Sequence, residues 1–209
     1  MKYIRSILVA GALLLVPVVA AGAQSPAPDL ELTAPAADQC TVDPMSPDRL
    51  AALNGNQGSP SPVIPLETPN TGAATPTPFV APKGTPVSGD TAANIEAVVV
   101  EYYACQNAND QLRVLALFSD RYLEQIVSEG DIDPTALATM GTPMPARLAS
   151  EQLMIAVNGM IEVEPGSYGV DVIGVDQATG EEFTEYLIVI DTGSELRIDQ
   201  VLRLSQNDD

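Results

Sequence analysis

The sequence predicts an α+β domain, with helices first and an antiparallel sheet after them. Three observations carry this. From residue 90 to about 130, apolar residues recur at helical spacing. After Pro145 they alternate with a period of two, and short turns containing glycine separate the alternating runs. Helices gathered ahead of strands that are joined by tight turns do not build alternating βαβ units, so the sheet is expected to be antiparallel.

Residues 1–23 read as a cleaved export leader. Lys2 and Arg5 form a basic end, residues 7–16 an apolar core, and Ala21, Gly22 and Ala23 a cleavage site before Gln24. The apolar run is short for a bilayer span. The mature chain is therefore expected to be secreted or extracytoplasmic, with cleavage after Ala23. Residues 24–55 form an N-terminal segment with one short helix, for which Ser46 is the N-cap, Pro47 the first helical residue and Gly55 the stop. Residues 56–89 are expected to be a disordered linker, because eight prolines stand between Asn56 and Asp90 among Ser, Thr, Gly and Ala.

The domain is expected over residues 90–206. Asp90 caps a helix carrying Ile95, Val98, Val99, Tyr102 and Cys105 on its apolar side. Asn109 and Asp110 end it and start a second, with Leu112, Leu115 and Phe118 as a stripe. A third carries Leu123, Ile126 and Val127 and stops at Gly130. Asp133 and Pro134 open a short helical turn that ends at Gly141. Four strands follow, broken at Glu164-Pro165-Gly166, at residues 177–180, and at Thr192-Gly193.

Charge and composition remove whole classes of function. Nine Lys and Arg, less the two of the leader, leave seven against 28 Asp and Glu, a net charge of −21. Such a surface has too few cations for phosphate contacts, so nucleic acid and acidic membrane surfaces are excluded as partners. The chain has no His. That removes Ser-His and Cys-His nucleophile pairs, the usual zinc sites and the commonest general base. No cofactor or metal is implied. The segment from Asp131 to Thr135 begins like a calcium loop, but Ala136 and Thr142 stand where such a loop needs Gly and Glu.

Asp191-Thr192-Gly193-Ser194 spells the catalytic tetrad of an acid protease. That chemistry needs two carboxylates sharing one proton and many strands after the motif, whereas only 15 residues follow Ser194. Flanked by two alternating runs, it reads as a hairpin turn. Cys40 and Cys105 admit two readings. In an oxidising compartment they pair and pin the N-terminal segment to the domain; otherwise Cys105 is a small buried apolar residue and Cys40 is free.

Along VVVEYYACQNAND and LALFSDRYL, and again along EYLIVIDTGSELRIDQV, the chain resembles the NTF2-like superfamily. That cone-shaped α+β fold is shared by nuclear transport factor 2, ketosteroid isomerases and SnoaL-type polyketide cyclases. The resemblance implies N-terminal helices packed on a curved four-stranded antiparallel sheet, with an apolar cavity between them. Strand 183–190 carries Leu187 and Val189 on one face and Tyr186, Ile188 and Ile190 on the other, so helices are expected over one face and a second subunit, in a homodimer, over the other. Tyr102 stands eight residues before Asp110, as the isomerases' catalytic tyrosine stands before its break, and would be a hydrogen-bond donor to a carbonyl. The isomerases' general base falls on Ile126, which cannot take a proton, and Glu124 or Glu129 would serve only after a shift in alignment. Where the family often has Trp, this chain has Leu196.

Tyr102, Tyr122, Ile126 and Tyr186 are the candidate ligand-binding residues, Tyr102 the one candidate catalytic group, and Asp110 a helix cap. A second reading of Tyr102 is a core aromatic at helical spacing. Three functions compete: a non-catalytic module for a small apolar ligand or a protein, a proton-transfer enzyme, and an accessory domain whose cavity its own side chains fill.

Overall fold

The computed structural model describes residues 31–46, 48–49, 79–129 and 144–204. The expected leader, most of the proline-rich stretch, most of the short helix expected after Ser46 and the turn expected after Asp133 lie outside the described residues. The elements are β1 (Thr85–Pro86), α1 (Gly89–Asn107), α2 (Gln111–Ala116), α3 (Asp120–Ser128), β2 (Leu153–Glu164), β3 (Ser167–Asp176), β4 (Glu181–Asp191) and β5 (Leu196–Leu204). The protein is α+β, with one open antiparallel sheet in the order β1-β2-β3-β4-β5.

The sheet has five strands and not the four expected. The extra one, β1, is a two-residue pairing of Thr85 and Pro86 with Glu162 and Ile161 on the edge of β2. A strand this short shows no alternation in sequence. Pro86 also marks it as linker, although at a sheet edge a missing N–H need not break the ladder. Thr85 and Pro86, at the end of the expected linker, are therefore paired to the sheet.

Local chemistry sets the helix ends. Ser88 is extended at the N-cap of α1, two positions ahead of the expected cap, and Asp90 lies in the first turn where the helix dipole favours an acid. Asn109, at φ 59°, turns the chain out of α1. Asp110 then caps α2 by accepting from the Arg113 N–H at 3.2 Å. Ser119 caps α3 in the same way, accepting from the Tyr122 N–H at 3.1 Å. The residues spelling the protease tetrad lie in the β4–β5 hairpin: Gly193 takes φ 86°, and the Thr192 N–H donates to the Glu195 carbonyl at 3.0 Å.

The two faces of the sheet differ. Leu153, Ile155, Val170, Val172, Leu187 and Val189 point toward the helices and join Ile95, Val99, Leu115 and Leu123 in one buried core. Tyr186 and Ile188 are as buried but belong to the other face, outside that core. There Phe79 lies against Tyr186, with ring centroids 5.2 Å apart.

Residues 31–46 form a strap bound to the same body. Thr33 bridges to Ile155 through two backbone hydrogen bonds of 2.8 and 2.9 Å. The buried Asn107 side chain donates to the Pro35 and Leu153 carbonyls and accepts from the Leu153 N–H. Glu101 accepts from the Thr41 N–H, the Thr41 hydroxyl and the Val42 N–H. One helical turn further on, Cys105 is disulfide-bonded to Cys40, 65 residues apart in sequence. A cross-link over a loop of that length is worth about 4 kcal/mol in the chain-entropy account.

Candidate functional site

Five of the aromatic rings make a continuous file between the helices and the sheet. From α3 to β4 it runs Tyr122, Phe118, Tyr102, Tyr103 and Phe183, with successive centroids 5.0, 5.9, 4.9 and 6.1 Å apart. Phe118 is held there by the parallel bridge it makes with Ile198, and Tyr102 and Tyr103 by their places in the middle of α1. At the sheet end, the Arg203 guanidinium stands 5.3 Å from the centre of the Phe183 ring, within cation–π range.

Glu185 enters this apolar surround from β4. Alternation puts it on the face of Phe183, Leu187 and Val189, directly opposite Arg203 on β5. Its Oε2 accepts from the Tyr103 hydroxyl at 2.7 Å. Burial raises the Glu185 pKa, against the opposing pull of the Tyr103 hydrogen bond and the Arg203 charge. Burial also pushes the Tyr102 and Tyr103 hydroxyls well up, and the negative charge of Glu185 adds to both shifts. A hydrogen bond with the Gln106 side chain opposes the shift at Tyr102. The phenols therefore stay protonated, and Glu185 is the group here whose proton is in play.

Of the residues expected to form a site, Tyr102 and Tyr122 lie in this file, on either side of Phe118. Ile126 is half-buried and packs against the core. Tyr186 is on the opposite face of the sheet and cannot share a pocket with them. Its pKa is raised by burial and by Asp171, its cross-strand partner. Glu124 and Glu129 are exposed, and Glu129 accepts from the Gln125 side chain at 3.0 Å. Neither reaches the aromatic file, so no shift of alignment makes one of them a base there. Asp110 is a helix cap.

The residue that the sequence reading passed over is Glu185. Its signal was present: in FTEYLIV, one period-two row reads Phe183, Glu185, Leu187 and Val189, a lone acid in an apolar row. What the cluster can do chemically follows from that acid. As a neutral carboxyl it donates to a carbonyl or ether oxygen while accepting from Tyr103, and as a carboxylate it can take a proton.

No family model matches the chain, and neither a curated protein nor a solved structure does. Among the described residues no three His, Cys, Asp or Glu side chains are grouped as metal ligands, and no helix is long and apolar enough to cross a membrane.

Proposed function

We propose that this is an exported, non-catalytic binding domain of NTF2-like architecture. It holds a small, largely apolar molecule with one hydrogen-bonding oxygen against the Tyr102, Tyr103 and Glu185 face. The observation that carries this reading is Glu185, an acid with a raised pKa, bonded to a phenol at 2.7 Å and set among aromatic rings. A hydroxyl on the ligand would donate to the Glu185 carboxyl oxygen beside the Tyr103 hydroxyl, and its carbon skeleton would lie on the rings. Ile126, at the place where the resembling isomerases carry their base, supports binding over turnover.

Native mass spectrometry of the full exported chain tests this. The expected result is a small co-purifying mass that is lost on denaturation and lost from the Glu185→Leu variant. A bare polypeptide mass from both proteins overturns the small-ligand reading and directs the search to a protein partner.

A second reading, a proton-transfer enzyme of the isomerase or cyclase kind, draws on the same pair of groups. Tyr102 would donate to a carbonyl oxygen, and Glu185, close enough to shift the Tyr102 pKa, would move the proton on the adjacent carbon. Deuterium exchange into a bound ketone that stops in Glu185→Gln would favour it. Exchange at the rate of the buffer alone would reject it.

A further inference from the structure

We propose that the outer face of the sheet is the docking surface for this chain's own proline-rich segment, residues 60–78, which enters it at Phe79 and takes the place expected for a second subunit. Tyr186 and Ile188 on this face are each 3% exposed, and Ser167, Gly169 and Gln200 around them are buried as well. The register puts them on one side: Ser167 pairs with Ile190, Gly169 with Ile188, and Ile188 with Gln200. A sheet face that nothing covers leaves its side chains in water. Here a single chain buries it, so the cover belongs to the chain itself.

Phe79 is where that cover begins. β1 is held on the edge of β2 by the pairing of Thr85 and Pro86. Gly84 passes so near β2 that a Cβ there would overlap the Glu162 carbonyl. A few residues earlier, the Phe79 ring lies on Tyr186, with centroids 5.2 Å apart. Tyr186 stands on β4, three strand spacings from β1, or about 14 Å. Followed backward from Thr85, the chain therefore moves in from the edge over the outer face. One ring cannot complete the cover. The buried patch runs about 7 Å along β4 from Tyr186 to Ile188 and about 10 Å across from β3 to β5.

The chemistry of residues 60–78 fits this face. They carry six prolines, the apolar Val63, Ile64 and Leu66, and a single charge at Glu67. A proline-rich chain is already extended, so it loses little entropy on docking against aromatic rings. Arg49 is paired with Asp120 of α3, so the stretch between Arg49 and Phe79 is tied to the body at both ends. Residues 50–78 reach on the order of 90 Å when extended, enough to round the sheet and lie on it. A second copy fits worse. It brings the same net charge of −19, and Asp171, the cross-strand partner of Tyr186, adds to the repulsion on this face. The inference uses none of the residues of the helix side, and it stands or falls apart from the ligand proposed there.

The test places the photo-cross-linking residue p-benzoylphenylalanine at Ile190, a half-buried outward position at the rim of the patch, in the full exported chain. Illumination and peptide mapping should join position 190 to residues 60–78 of the same polypeptide, at monomer mass. A link to a second chain, or none to residues 60–78, overturns the proposal. Phe79→Ala gives an independent reading through nitration of the tyrosines by tetranitromethane. Tyr186 should resist in the parent and react about tenfold faster in the variant, because losing one anchoring ring weakens docking by at least that factor. Tyr103, 1% exposed in the core, should stay unreactive in both and shows that the variant is folded. Tyr186 reacting alike in the two proteins, with Tyr103 protected, also overturns the proposal.

Discussion

Asp199 and Glu185 stand on neighbouring strands, and the fold treats the two acids in opposite ways. Asp199 sits at the bulge of β5, between Ile198 and Gln200, which pair with Val189 and Ile188. The bulge turns its side chain to the start of α3. There it is 3% exposed and takes the Ser119 hydroxyl at 2.5 Å, the Arg121 Nε at 3.1 Å and the Arg121 Nη2. Both oxygens are occupied by donors, one of them a cation. Glu185 lies in unbroken register, and its one direct side-chain bond is to a neutral phenol, with the Arg203 charge acting across the strand pair. The difference teaches which acid is structural. A carboxylate saturated by its own fold anchors elements; one held by a phenol alone keeps capacity for another molecule.

The largest test of that contrast is Asp199→Ala. It leaves Arg121 without its partner and removes the acceptor that fixes Ser119, while the backbone bonds from Ser119 to Ile198 and from Ile198 to Leu117 remain. Losing one member of a buried pair costs about 3 kcal/mol. Urea unfolding should show this as a lower midpoint with an unchanged slope. A loss below about 1 kcal/mol would mean the pair is no stronger than a surface one, and the contrast would fail from the Asp199 side.

Tyr103→Phe is the next in size. It deletes the direct bond to Glu185 and costs about 1 kcal/mol. Because that bond is one of the two influences holding the Glu185 pKa down, the carboxyl should titrate higher still in the variant. Carbon-13 NMR of the Glu185 carboxyl reads this directly. An unmoved or lower titration would show that the phenol is not what holds the acid.

Where the sequence was legible, periodicity was the reason. Strands β2 to β5 break where Gly166, residues 177–180 and Gly193 interrupt alternation, and α1 to α3 follow apolar spacing to within a residue or two of each end. What hid did so because its information is non-local. The strap over residues 31–46 has no period; Thr33, Cys40 and Thr41 are ordered by Ile155, Cys105 and Glu101, each about 60 residues or more away. Strand β1 exists only because β2 offers an edge to it. Asp199 was visible as part of a motif, but its partner Arg121, 78 residues earlier, was not. At the candidate site, Tyr102 could be named from its spacing, while Tyr103 could not, because only the packing of α1 on β4 shows that it meets Glu185. Tyr186 was misplaced for the converse reason: an apolar ring fits either face until the register is known.

The smallest effect should come from Glu185→Gln, and it sharpens the comparison through its dependence on pH. The amide keeps an oxygen to accept from Tyr103 and cannot ionise. In the parent, the folded-state pKa of Glu185 lies above its ordinary value of 4.5. The folded protein therefore holds this proton more tightly than the unfolded chain. The stabilisation is fully present below about pH 4 and is lost as pH rises through the folded-state pKa. The melting temperature of Glu185→Gln, relative to the parent, should accordingly climb from pH 4 upward and level off above the raised pKa. Tyr103, also raised, adds a fall of the same sign at strongly alkaline pH, and it is common to both proteins. A difference that stays flat would mean that Glu185 titrates alike folded and unfolded. One that runs the other way would mean that the folded carboxylate is stabilised by its surroundings; Glu185 would then be a second structural acid, like Asp199.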